Sequence, residues 1–219
     1  MTRDSDHRCR SSWAIVVAWA STLAVGVALA ALAAREQRLP GDLRITREVQ
    51  SWPAPGETFS GLVRALTATE PMVAAGAALA GGLWLAGRRR SALAFGAAVA
   101  ALPLLQWGLK ELVDRPRPAP DLVELRAGFS SPSFPAGHVM SPTLWYGYVL
   151  WIARAWRPRW FRTSVQVACA LVLASTGLVN VYLGVHWPSD VAGGYVWGLA
   201  LLIPIPAAAR SDGWPPPDR

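Results

Sequence analysis

Charge is scarce in this chain. Of 219 residues, 16% are Asp, Glu, Lys or Arg, whereas a soluble domain carries about 25%. Cysteine is nearly absent: Cys9 and Cys169 are the only two, which excludes a disulfide scaffold and a thiolate zinc site. Lysine is reduced to Lys110 beside 20 Arg, and histidine to His7, His138 and His186. The missing charge is replaced by apolar residues, 53% of the chain, with 12 Trp among them. That balance excludes a disordered chain and argues against an ordinary soluble domain.

The apolar residues fall in long runs. A helix needs about 20 of them to cross the hydrocarbon core. The runs Trp13–Ala34, Ala65–Gly87, Ser91–Leu109, His138–Ala153, Thr163–Val185 and Val191–Ala209 predict six crossings, the fourth borrowing flanking positions. The first run is longer than a signal-peptide core and reads as a retained helix. The expectation is an all-α polytopic membrane protein. A six-helix transmembrane bundle fills 13–209, between a cytoplasmic tail over 1–12 and a disordered cytoplasmic tail over 210–219. Between Pro40-Gly41 and Pro53, Asp42–Trp52 predicts a short interfacial helix.

The net charge of +7 is carried by short Arg clusters between the runs: Arg3/Arg8/Arg10, Arg88–Arg90 and Arg154/Arg157/Arg159/Arg162. Nucleic-acid binding would want one basic stripe. Clusters at alternate connections instead follow the positive-inside rule. Both termini are then cytoplasmic, in the inner (cytoplasmic) membrane of the cell. The connections 35–64, 110–137 and 186–190 face the outside or periplasm.

Those outer connections hold the chemistry. Lys110 and Arg117 are cations within one loop, and Arg offers a forked donor that fits phosphate oxygens. Pro135-Ala136-Gly137-His138 opens the fourth helix, and free N–H groups at a helix N-terminus form an anion site. His186 precedes Asp190 by four residues, so the carboxylate can hold one imidazole nitrogen and leave the other as nucleophile or base. Singly, each has a plainer reading: Lys110 a snorkelling anchor, His138 or Asp190 a helix cap, His186-Trp187 an interfacial pair. Gathered on one side of the membrane, they describe phosphoryl transfer without a metal. A transporter fits less well, because the ionisable residues crowd one face and the chain lacks internal symmetry.

This arrangement resembles the type 2 phosphatidic acid phosphatase (PAP2) superfamily, whose blocks read Lys-x6-Arg-Pro, Pro-Ser-Gly-His and Ser-Arg-x5-His-x3-Asp. Lys110, Arg117 and Pro118 match the first block, Pro135, Gly137 and His138 the second, His186 and Asp190 the third. The resemblance covers roughly residues 70–205. It implies a six-helix membrane lipid phosphatase with its site on the outer face, no metal and no cofactor. In that reading His186 attacks phosphorus and becomes a phosphohistidine, Asp190 orients it, and His138 protonates the leaving oxygen. Lys110, Arg117 and the Gly137 N–H hold the phosphate oxygens. The partners are the bilayer and a phosphate-bearing lipid such as a polyprenyl diphosphate or a phosphatidate. Three positions depart from the family: its Ser in the second block is Ala136, and its Ser-Arg in the third block is Val179-Asn180. Ala136 keeps a backbone N–H and Asn180 a neutral amide as substrate-binding donors. Arg115 and Arg126 are candidate replacements for the missing guanidinium. A phosphate-lipid binding protein or phosphotransferase with a weakened site is the alternative.

Overall fold

The computed structural model describes residues 2–53, 56–210 and 212. They form helices and connecting turns, with no strand among them. In chain order the helices are α1 (Thr2–Arg35), α2 (Asp42–Ser51), α3 (Glu57–Thr67), α4 (Thr69–Leu85), α5 (Arg89–Val113), α6 (Gly137–Ile152), α7 (Arg159–Tyr182), α8 (Pro188–Leu202) and α9 (Ile205–Arg210). A short 3₁₀ turn over Ala153–Ala155 follows α6.

Four stretches of the described residues are long and apolar enough to cross a membrane: Trp13–Arg35, Arg89–Val113, Arg159–Tyr182 and Pro188–Arg210. α4 and α6, at 17 and 16 residues, are shorter. At 1.5 Å per residue they reach about 24–26 Å, short of the ~30 Å core without their flanks. α2 forms where the interfacial helix was expected. The run expected over Ala65–Gly87 is divided at Ala68, whose extended backbone separates α3 from α4. Pro71 lies in the first turn of α4, where its missing N–H costs nothing, so the proline favours a helix start there. The last expected run is interrupted before Ile205, where Pro204 withdraws a donor from the ladder. Of the tail expected over 210–219, Arg210 ends α9 and the Asp212 carboxylate accepts from the Ser91 N–H at 2.7 Å. Ser211 and 213–219 lie outside the described residues.

α8 runs against α6 and α1, α6 also against α7, and α4 against α5. The α6–α8 seam depends on two glycines. A Cβ at Gly194 would lie 2.7 Å from the Ala136 carbonyl oxygen, and one at Gly198 would lie 2.5 Å from Thr143 Cβ. Small residues of this kind let two helices approach closely in lipid. Behind the seam Phe95 stacks on Tyr148 at 4.3 Å among Met140, Leu144 and Trp197. Outward, Leu85, Leu104, Trp107, Leu112 and Leu171 are exposed, and only 11% of the apolar window of α1 is buried. An apolar exterior of this extent suits hydrocarbon rather than water.

The helix directions separate two ends. α5 starts at the Arg88–Arg90 cluster and carries Lys110 in its last turn. α7 starts among Arg159 and Arg162 and ends four residues before His186. The topology-type arginines and the candidate chemistry therefore occupy opposite ends of the same helices.

Candidate active site

Three segments meet at the chemical end: the α5–α6 connection, the α7–α8 turn and the α1–α2 junction. The N-terminus of α6 is pinned first. Gln106, one turn before Lys110, donates to Ser141 Oγ at 2.9 Å, and Ser141 Oγ lies 2.9 Å from Thr69 Oγ1 at the start of α4. The Gly137 and His138 N–H groups open that helix end, and no carbonyl accepts from them among the described residues. His138 is half-buried, with its ring edge-on to Phe129 at 5.8 Å.

His186 is buried in the α7–α8 turn, not on a helix. The preceding bend needs Gly184, whose φ is +68°, and a Cβ there would strike the Glu124 carbonyl. Asp190 does two jobs. Its Oδ2 accepts from the Trp187 N–H at 2.8 Å, capping α8. The same oxygen lies 3.8 Å from His186 Nδ1, with Ser133 alongside: Ser133 Oγ donates to it at 2.5 Å and is 3.5 Å from Nδ1. A proton on Nδ1 satisfies this arrangement and leaves Nε2 with a lone pair. Nε2 faces Arg117 Nη1 at 3.4 Å. Burial pushes the His186 pKa down to about 4, with the charges of Arg117 and Lys110 adding to the shift and Asp190 opposing it.

Arg117 donates to Ser131 O at 2.7 Å and to Val185 O at 2.5 Å, and its guanidinium carbon sits 4.7 Å from the Phe129 centroid. Lys110 Nζ donates to Pro132 O and to Ser131 Oγ. These are neutral acceptors, so neither cation has a carboxylate partner among the described residues. Arg117 thereby links the two histidines, touching His186 directly and His138 through Phe129.

The donors of Asn180 and Ala136 are engaged within the protein. Asn180 is buried and its Nδ2 donates to Thr176 O at 2.7 Å, one turn back on α7. The Ala136 N–H donates to Asp190 O at 3.1 Å. Neither candidate replacement guanidinium is free for phosphate. Arg115 is fully buried: it donates to Asp190 Oδ1 at 2.6 Å, Asp42 Oδ2 at 2.8 Å and Ser189 Oγ at 2.7 Å. Arg126 pairs with Glu124 and lies over the Tyr182 ring at 4.0 Å. The clamp of Asp42, Arg115 and Ser189 and the bridging role of Ser133 escaped sequence reading. The Pro40-Gly41-Asp42 turn signature marked a helix start, but nothing marked Asp42 as a partner of Arg115, 73 residues away. Among the described residues no group of three His, Cys, Asp or Glu is placed to hold a metal.

Fold and site define a class: a helical membrane protein with an aspartate-backed histidine beneath a rim of cations. The chain belongs to the PAP2 superfamily, whose family model matches residues 91–212. It is 35% identical over 103 residues to phosphatidylglycerophosphatase B of Bacillus subtilis (strain 168). That match covers 45% of this chain and 48% of the relative, so it spans about half the length of the curated protein. A solved Bacillus subtilis structure, described as the first transmembrane PAP2 type phosphatidylglycerolphosphate phosphatase, superposes with a TM-score of 0.72 at 22% identity. It covers 88% of this chain and 96% of its own. The likeness shows a shared fold.

Proposed function

We propose that the protein is an integral membrane lipid phosphatase acting on a phosphomonoester or diphosphate of a membrane lipid through a phosphohistidine. The observation that carries this is the buried His186, backed by Ser133 and Asp190 on Nδ1 and met by Arg117 at Nε2. Nε2 attacks phosphorus in line, the P–O bond to the lipid breaks, and His138 gives the leaving oxygen a proton. In the second step His138 takes a proton from water, the water oxygen bonds to phosphorus, and the P–N bond breaks to release phosphate. Lys110, Arg117 and the Gly137 N–H hold the equatorial oxygens, where transition-state charge is spread. The mechanism as written uses no metal or cofactor.

In this reading α4 and α6, with their flanking residues, complete six crossings over 13–209. The three arginine clusters face the cytoplasm and the site faces the outside or periplasm of the inner membrane. Membership of the PAP2 superfamily supports phosphate-ester chemistry, and the name of the Bacillus subtilis relative makes phosphatidylglycerophosphate the first substrate to try. Phosphatidate and polyprenyl diphosphates such as undecaprenyl diphosphate are the other candidates. The test is phosphate release from these lipids by detergent-purified protein, with EDTA present, for wild type and His186→Ala. Release by wild type alone supports the reading. Equal release on every lipid leaves the alternative, a phosphate-lipid binding protein or phosphotransferase with a weakened site.

The low pKa of His186 predicts a pH profile. The imidazole is neutral, and so nucleophilic, at every pH above about 4. The acid limb of kcat/KM for the free enzyme is expected near pH 4, not near the ordinary histidine value of about 6.5. The sign for stability is the same. A depressed pKa contributes stability that is complete above about 6.5 and is lost as pH falls through about 4. A kcat/KM profile with its acid half-point at pH 6–7 would contradict the buried neutral state.

A further inference from the structure

The family's guanidinium is absent at position 180, and the two nearby substitutes are occupied. A third arginine comes from a different part of the fold. Arg64 lies in the last turn of α3, which the sequence placed at the edge of a membrane run. Val63 and Thr67 are buried on that helix, and Tyr146 of α6 donates its hydroxyl to Leu66 O at 3.0 Å. α3 is therefore fixed against α6, and Arg64 is carried with it.

The Arg64 guanidinium carbon sits 4.8 Å from the centroid of Phe129. Arg117 stands 4.7 Å from the same centroid, and the His138 ring meets that phenyl edge-on. One aromatic ring thus gathers two guanidiniums and a histidine. Of the charged groups around His138, which are Arg64, Glu70, Arg117 and Lys110, Arg64 acts on the ring most strongly. No carboxylate lies within ion-pair distance of Arg64 among the described residues, so its fork is held by stacking while its N–H donors have no anionic partner. Two stacked guanidiniums without counter-ions, beside an acid and within reach of a nucleophile, suit a dianionic ligand.

We propose that Arg64 is a substrate-binding residue that supplies from α3 the charged phosphate donor that Asn180 does not offer from α7. The inference rests on the phosphatase reading of the same site and deepens it. Arg64 and Arg117, both against Phe129, grip the phosphoryl oxygens, and Arg64 is the cation acting most strongly on His138, where the bond to the lipid breaks. It therefore also meets the charge that develops on the leaving group.

The test compares Arg64→Met, which keeps the aliphatic packing on Phe129 without the charge, with Arg64→Lys. Two readouts are taken in detergent: affinity for inorganic phosphate by calorimetry, and kcat/KM on the lipid hydrolysed best by wild type. Thermal melting checks that each variant is folded. Arg64→Met is expected to weaken phosphate binding at least tenfold and to lower kcat/KM by about 10²–10³, the scale for losing one preorganised donor. Arg64→Lys is expected to fall between it and wild type. Recovery of tenfold or more in Arg64→Met/Asn180→Arg shows that the two positions serve one phosphate oxygen. If a folded Arg64→Met or Arg64→Lys stays within twofold of wild type in both readouts, the proposal is overturned while the phosphatase reading stands. If wild type releases no phosphate beyond His186→Ala, the phosphatase reading fails, and phosphate affinity still decides the role of Arg64.

Discussion

His186→Ala is expected to reduce phosphate release by at least ~10⁴-fold in kcat, the scale seen when a covalent nucleophile is removed. The loss belongs to the chemical step rather than to binding. Lys110 and Arg117 hold their positions through Ser131, Pro132 and Val185 oxygens, none of which depends on the imidazole. Affinity for inorganic phosphate should therefore change little while turnover disappears. The melting temperature should fall only modestly, because the polar partners of His186 are satisfied elsewhere. Ser133 still donates to Asp190, and Asp190 still caps α8. Retention of more than about a hundredth of wild-type turnover by a folded His186→Ala protein would place the nucleophile elsewhere, since intact oxyanion binding alone accounts for little of a two-step displacement.

The largest effect on stability is expected from Arg115→Ala. The guanidinium is fully buried between Asp42 and Asp190, whose side chains are 3% and 0% exposed. Removing it leaves two carboxylates facing each other's field in a dry interior. Breaking a buried ion pair from one side costs about 3–5 kcal/mol. For a chain of this size that lowers the melting temperature by roughly 6–20 °C. Activity should fall with it, because Asp190 loses one of the groups that fix its orientation toward His186. Arg115→Lys should recover part of the stability only, since a single ammonium cannot match a fork that reaches Asp42, Asp190 and Ser189 together. Thermal unfolding in detergent is the measurement, and an Arg115→Ala midpoint within about 2 °C of wild type would show that the clamp is not needed.

Much of this was legible from residue order alone. Lys110, Arg117, His138, His186 and Asp190 stand in short blocks whose spacing survives folding, and the apolar runs marked α5, α6 and α7 to within a few residues. The departures have physical causes. Ala68 breaks an apolar run that hydropathy reads as continuous, because hydropathy does not register the extended backbone that precedes a proline-bearing first turn. Arg115 looked available because a lone arginine two residues from Arg117 carries no sign of its partner, and Asp42 reaches it only when α2 folds across the bundle. Ser133 replaces a direct His186–Asp190 bond because the α7–α8 turn is extended at Trp187, so the four-residue spacing does not stack the pair as a helix would. Arg64 was invisible for the same reason. Its value lies in sharing Phe129 with Arg117, which is a property of three segments brought together.

The glycine seam between α6 and α8 has a consequence for how the protein sits in a fluid membrane. His138 rides on the first turn of α6 and His186 on the turn that enters α8. Where those helices meet, at Gly194 and Gly198, the neighbouring atoms leave no room for even a methyl group. The closest approach of the proposed proton donor and the proposed nucleophile is therefore limited by hard contact between their helices, like the closed jaws of a caliper. A thicker or thinner bilayer can tilt the two helices, but no lateral pressure can press them closer than this contact allows.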